Sequence, residues 1–286
     1  MKHSIRHALS LDESMSGEQT HFWQSQELGS PLESLTATYI THAFGRHTHE
    51  GFAIGVIERG AETFYYRGAI HVAPAGSVVV VSPDELHTGQ SATDYGWSYR
   101  MVYPAADLLA RIASDIAGQP RGIPYFTAPV VYDDALFTAL RAAHIALERS
   151  HSALERESRL LDALAMLIRH HAEDRPSLAQ PCLAHNALRH AQDYLRSHYA
   201  DDISLQQLAR LVYLSPFHLS RLFREQLGLP PHTYLNQIRV NRAKTLLNSG
   251  LSLAEVAPAV GFADQSHFSK AFKRVVGVSP GQYRKI

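Results

Sequence analysis

The stretch SLQQLARLVYLSPFHLSRLFREQLG (residues 204–228) has a partner downstream, SLAEVAPAVGFADQSHFSKAFKRVVG (residues 252–277), and the two align with each other. Leu219 matches Phe268, Arg221 matches Lys270, Phe223 matches Phe272, Arg224 matches Lys273 and Gly228 matches Gly277, all at a spacing of 49 residues. The likeness runs on to Pro231 with Pro280 and Tyr234 with Tyr283. Upstream the spacing is 48, pairing Ser204 with Ser252, Leu205 with Leu253, Ala209 with Ala257 and Val212 with Val260. One residue is therefore gained inside the second copy, and a turn absorbs such a change where a helix does not.

Each copy has the same local grammar. Ser204 and Ser252 are placed to cap a short helix, Ser215 and Asp264 to cap a second one after a tight turn, and Gly228 and Gly277 stand where that helix ends. Helix, turn, helix is the arrangement that carries its second helix into the major groove of DNA. Leu219, Leu222 and Phe223, and in the other copy Phe268, Ala271 and Phe272, supply core stripes. Around them, Ser215, Pro216, Phe217, His218, Ser220, Arg221 and Arg224 are the residues expected at double-stranded DNA in the first reader. In the second reader they are Asp264, Gln265, Ser266, His267, Ser269, Lys270 and Lys273. Arg grips guanine and Gln adenine through paired hydrogen bonds, while Lys and Ser hold phosphates. One basic face alone would be an ordinary solvated surface; duplication of the whole unit argues for DNA.

Between the copies, HTYLNQIRVNRAKTLLNSG (residues 232–250) places Leu235, Ile238, Ala243, Leu246 and Leu247 at helical spacing. A helix of that length spans about 28 Å, close to the ~34 Å between successive major-groove faces on one side of a duplex. It therefore reads as a strut between two readers. Pro258, inside the first helix of the second copy, is expected to kink or shorten that helix.

These residues closely resemble the DNA-binding domain of the AraC/XylS family of transcription regulators over about residues 185–285. The arrangement GF.D.S.FS..FK...G.SP..YR, running from Gly261 to Arg284, carries the resemblance. It implies promoter DNA and RNA polymerase as partners, and it favours activation.

Residues 35–103 have a different character. Short runs such as TATYITHAF, FAIGVIERG, ETFYYRG, SVVVVSP and WSYRMVYP alternate with Gly, Pro and Asp turn signals, the pattern of an antiparallel sandwich or barrel. His47-x-His49, Pro74-Ala75-Gly76 and Pro83 followed by His87 are similar to the cupin-type sensor domain that many members of this family carry. His47, His49 and His87, with Tyr65, Trp97 and Tyr99, are expected to line one barrel mouth and bind a small-molecule effector. Arg46 and Glu50 would recognise charge on it, which suits an amino-acid-like zwitterion. Metal-binding cupins add a Glu, and Ala53 and Ile54 stand where it is expected, so no cofactor is assigned. If a divalent ion is held, His47, His49 and His87 hold it, since three imidazoles suffice. No residue is assigned to catalysis. The competing reading is a cupin metalloenzyme fused to a DNA-binding domain, which requires stoichiometric metal and turnover.

Helical periods at 105–117, 133–149 and 154–171 follow the barrel. The last two form a hairpin that either covers the barrel or makes a dimer interface, and a homodimer on two half-sites is expected. AEDRPSLAQPCLA (residues 172–184) has two prolines and no period, and reads as a linker. The expected organisation is an α+β two-domain chain: a disordered tail (1–22), a cupin-like β-barrel with helical hairpin for effector binding and dimerisation (23–171), the linker (172–184), and an all-α domain with two helix-turn-helix motifs joined by a long helix (185–286).

Charge supports this division. From Ala184 onward there are 13 Lys and Arg against 6 Asp and Glu, and before it 14 against 21, so a net charge of zero hides a basic part and an acidic part. The basic part is the one suited to a polyanion. A lone cysteine, Cys182, permits no intrachain disulfide and fits the reducing cytoplasm. The longest apolar runs, such as Val78 to Val81, are strand-sized, so no membrane span is expected.

Overall fold

The alternating runs form two antiparallel sheets in a computed structural model that describes residues 17–174, 184–276 and 278–284. Strands β1 (Gln19–Glu27), β2 (Ser30–Tyr39), β8 (Trp97–Pro104), β4 (Ala53–Tyr66), β6 (Val78–Val81) and β9 (Val130–Val131) lie side by side in that order. Strand β4 is long enough to serve twice. After a register shift between Ile57 and Arg59 it stays with β8 as far as Gly60, and from Ala61 on it pairs with β5 (Ala69–Pro74) and β7 (His87–Ser91), while β7 pairs with β3 (Ala43–His47). Side chains of both sheets, among them Tyr39, Val79, Trp97, Phe64 and Tyr66, share one buried cluster, which is the barrel interior.

Alternation explains why all four valines of β6 are buried. Val79 and Val81 belong to the barrel interior, while Val78 and Val80 face a second cluster under the helices. That cluster receives α1 (Ala106–Ala117), α2 (Asp134–Arg149) and α3 (Ala153–His171). Asp133 caps α2 by accepting from Leu136 N at 3.0 Å, and Ser152 caps α3 by accepting from Glu155 N at 3.4 Å. Arg100 of β8 fastens α2 to the sheet, reaching Glu58 at 3.0 Å and Glu148 at 2.8 Å.

The C-terminal part is α4 (Ala184–Ser197), α5 (Leu205–Leu211), α6 (Pro216–Leu227), α7 (Pro231–Asn248), α8 (Leu253–Ala259), α9 (Gln265–Val276) and α10 (Pro280–Tyr283). The pairs α5–α6 and α8–α9 are the two expected helix-turn-helix units, joined by the 18-residue α7. Reciprocal capping boxes open α5 (Ser204 with Gln207) and α8 (Ser252 with Glu255). The turns match as well. Tyr213 and Gly261, 48 residues apart, both take left-handed backbone, and Leu214 N to Ala209 O (3.0 Å) corresponds to Phe262 N to Ala257 O (2.9 Å). Glycine is required in the second copy, because a Cβ on Gly261 would stand 2.7 Å from Ala200 O. Tyr213 escapes that clash by being 96% exposed.

Three expectations change. The tail expected over residues 1–22 is ordered from its last residues onward: β1 starts at Gln19, and Glu18 accepts from the backbone of Ile40, Thr41 and His42 at 2.7–2.9 Å. Residues 1–16 of that tail, residues 175–183 of the linker and Gly277 lie outside the described residues. Pro258 does not shorten its helix relative to its counterpart: α8 and α5 both have seven residues. It sits one residue from the C-terminal end, so the backbone bond to Ala254 O that it forgoes falls in the last turn of the helix. The barrel extends beyond 35–103, with β1 and β9 widening its first sheet.

The hairpin does more than cover the barrel. Helix α3 packs on α1 and α2 on one side and on α5, α6 and α7 on the other, so the buried core runs without a break from Leu28 to Leu235. Only the second helix-turn-helix unit has a core of its own, built on Val240, Val256, Phe268 and Phe272.

Gly60, at the step where β4 changes sheets, has φ +67, and a Cβ there would run into the carbonyl oxygen of Gly96. Gly60→Ala is expected to destabilise the chain by about 1–3 kcal/mol, read as a lower urea midpoint with unchanged slope.

Candidate nucleic-acid interface and ligand cavity

The two readers are presented differently. In α9, Gln265, Ser266, Lys270 and Lys273 are exposed while Phe268 and Phe272 are buried, with Ser269 half-buried beside them. Asp264 is exposed but serves as the cap, accepting from His267 N at 2.7 Å, and that bond holds its carboxyl below the ordinary range. His267 is half-buried, with Nε2 3.5 Å from Glu155 of α3.

In α6 the equivalent face is turned toward the sensor helices. Ser220 is 2% exposed and donates to Asp162 of α3 at 3.1 Å; Arg224 pairs with the other oxygen of the same carboxylate. Phe217 is 7% exposed and belongs to the core shared with α1 and α3. Ser215 accepts from His218 N at 3.3 Å as cap and stands across a cleft from Asp115 of α1. Pro216 lines the cleft between α1 and α6 with Asp115 and Leu161. His218 is half-buried, and Arg221 bonds Glu225 at 2.7 Å. The first reader is thus brought together as expected in chain order, but its expected DNA face is not free.

In the barrel, the three histidines meet. Ring centroids lie 4.2 Å apart for His47 and His87, 4.9 Å for His47 and His49, and 5.0 Å for His49 and His87. His47 Nδ1 lies 2.8 Å from Gly45 O and His87 Nδ1 lies 3.0 Å from Glu85 O. A carbonyl oxygen only accepts, so both Nδ1 atoms carry the proton and both Nε2 atoms keep a free lone pair. Burial and the neighbouring imidazoles hold His49 down to about 4, and burial lowers His87 too, so both are neutral near pH 7. Tyr99 joins them, as expected.

Arg46, Glu50, Tyr65 and Trp97 do not line this cavity. Arg46 and Glu50 are exposed, and Arg46 lies over Tyr65, 5.6 Å from the ring centre, on the outside of β4. Trp97 is fully buried, stacked on Tyr99. In their place come Phe44, Glu62, Phe64, Met101 and Tyr103. The missed signal was alternation: Glu62 and Phe64 share a face of β4, and Tyr99, Met101 and Tyr103 share a face of β8. Gly89 leaves room for Glu62, since a Cβ there would stand 2.7 Å from Oε1. Burial pushes the Glu62 carboxyl up to about 8. At neutral pH this cavity holds hydrogen-bonding groups in apolar walls and little net charge.

The donor set fits a divalent cation. Ligand atoms of His47, His49 and His87 lie within 4.8 Å of one another, and two of the rings are oriented by carbonyl acceptors, the usual support of a metal-binding histidine. Among the described residues, no helix is long and apolar enough to cross a membrane.

A two-sheet antiparallel domain carried with two helix-turn-helix units is the architecture of a DNA-binding regulator with a ligand-binding domain. Residues 31–164 match the AraC-like ligand binding domain and residues 208–286 a helix-turn-helix domain. The HTH-type transcriptional regulator YbfI of Bacillus subtilis (strain 168) is 32% identical over 82% of this chain and 85% of its own length. The arabinose operon regulatory protein of Salmonella typhimurium is 28% identical over 82% and 84%. The transcriptional activator RhaS of Klebsiella pneumoniae (strain 342) is 28% identical over 85% and 88%. The chain belongs to the AraC family of helix-turn-helix transcriptional regulators.

Glu62 gives the cavity a pH signature. Between its ordinary 4.5 and about 8 the unfolded chain releases this proton and the folded chain keeps it, so stability falls as pH rises through that window. Glu62→Gln has no such proton, and is expected to be more stable than the parent at pH 8 and equal to it at pH 4 in urea unfolding. A parent that is the more stable of the two at pH 8 would mean that Glu62 is ionised and paired.

Proposed function

We propose that this chain is a cytoplasmic transcription activator whose promoter binding is set by a small molecule held among His47, His49, His87, Glu62 and Tyr99, and that it acts as a homodimer, with RNA polymerase as its partner. The observation that supports the effector reading most is the convergence of three histidines from β3, β7 and the loop before β4 on one apolar-walled cavity. The free volume is small, about 70 Å³, room for roughly five water-sized spheres. With Arg46 and Glu50 outside it, the cavity offers an amino-acid-like zwitterion no charge clamp. A compact, uncharged molecule with hydroxyl or carbonyl groups for the imidazoles and an apolar body suits the lining better. The likeness to RhaS, a transcriptional activator, supports activation.

A second reading has its own support in the two free Nε2 lone pairs: the trio first takes a divalent cation, and the effector binds beside it. Metal analysis of protein purified without chelator decides between the two. One equivalent, lost in His87→Ala, supports the cation; a metal-free protein that still responds to a metabolite removes it, together with a metalloenzyme.

A thermal-shift screen of uncharged metabolites is expected to find a compound that raises the unfolding temperature of the parent and not of His49→Ala. The same compound should change affinity for the DNA upstream of neighbouring genes in a mobility-shift assay. Lys270→Ala and Lys273→Ala should each weaken that binding and reduce the slope of log K against log salt by about one. An unchanged slope would remove these lysines from the phosphate interface.

A further inference from the structure

Acidic side chains of the sensor part sit on residues of both readers. Asp162 takes Ser220 and Arg224 of α6, Asp115 of α1 shares a cleft with Ser215 at the start of α6, and Glu155 faces His267 of α9. All four partners are residues whose type and position suit them to DNA, and a carboxylate oxygen satisfies the same donors that a phosphate oxygen would. The two sides of this contact also match in charge, since the chain is acidic before Ala184 and basic after it.

Sterics point the same way. A reading helix enters a groove about 12 Å wide and must present its face bare, whereas Phe217 and Ser220 are buried under α1 and α3. In α9, by contrast, Gln265, Ser266, Lys270 and Lys273 remain exposed. Duplex DNA and the sensor helices therefore exclude each other on α6 but not on α9.

We infer that α3, through Asp162 and with Asp115 of α1 beside it, is an intramolecular stand-in for DNA that closes the first reader and leaves Gln265, Ser266, Lys270 and Lys273 of the second one open. In this closed form the chain holds DNA by α9 alone. Two-reader binding requires α6 to separate from α3, and any ligand that favours the separated form raises affinity by its preference for that form. The inference rests on the reading of α6 as a DNA-contacting helix.

A reversible crosslink tests it in the full chain. Asp162→Cys and Ser220→Cys are introduced together with Cys182→Ser, so that only the α3–α6 pair can oxidise. The disulfide is expected to form in the DNA-free protein. The oxidised form should bind a labelled random-sequence 30-base-pair duplex at least about tenfold more weakly than the same sample after reduction, with a smaller salt slope, as the cations of α6 are withheld. Restoration on reduction separates masking from misfolding. Equal affinity and slope before and after reduction, or failure of the crosslink to form, would overturn the proposal. Asp162→Asn, which keeps the shape and loses the charge, is expected to shift the uncrosslinked chain toward the tighter form, and Arg224→Ala in that background to lose the gain. If no form binds duplex even at low salt, the DNA-contact reading of α6 fails first, and the proposal with it.

Discussion

Helix α3 is buried on nearly all sides, and the arrangement of everything else depends on that. Eleven of its residues are buried, including Glu155, Glu157 and Ser158 as well as the leucines of its stripe. A helix with one apolar stripe meets one neighbour; one that is buried all round is the centre of a domain. Glu157 shows how the two halves are tied: one oxygen accepts from Leu28 N and the other from Gln206 N, both at 3.0 Å. Those two amides belong to the turn between β1 and β2 in the sensor part and to the first helix-turn-helix unit. Removing one partner of such a buried carboxylate costs more than the pair itself contributes, so the contact is specific in register and does not slide.

The duplicated sequence therefore folds into two units with different surroundings. Both have the same capping boxes, the same left-handed turn residue and the same closing hydrogen bond. The second packs on itself and on α7, where Arg239 bonds the carbonyls of Tyr199 at 2.7 Å and Asp201 at 2.9 Å to brace the strut. The first shares its core with the sensor helices. Local rules dictate the unit, and long-range packing decides which copy is exposed.

That split also marks what could be read in advance. The repeat, the helix boundaries, the strut and the barrel follow from periodicity and caps, which act within a few residues. The burial of Ser220 and Phe217 does not, because it depends on a helix about 60 residues upstream whose stripe alone suggests a single neighbour. Glu62 was legible in principle, since Phe64 two residues on is a plausible inward residue, but a charged residue on an inward face runs against burial preferences. Pro258 misled for the opposite reason: its effect depends on distance from the helix end, and a shift of one or two residues in that boundary reverses the expectation. Arg46 and Glu50 flank the histidines in sequence, yet neither enters the cavity they form.

The pleat of β8 joins the cavity to the helical layer. On β8, Tyr99, Met101 and Tyr103 face the cavity, while Arg100 and Val102 point out toward the helices. Adjacent residues of one strand thus touch the ligand space and the helical layer, and Arg100 carries a direct ion pair to Glu148 of α2. Helix α2 in turn packs along α3. Arg100 and Met101 are displaced together, because the backbone between them is a single peptide. The cavity wall at β8 and the layer against which α3 lies are therefore parts of one strand, and α3 is the element packed on the first reader.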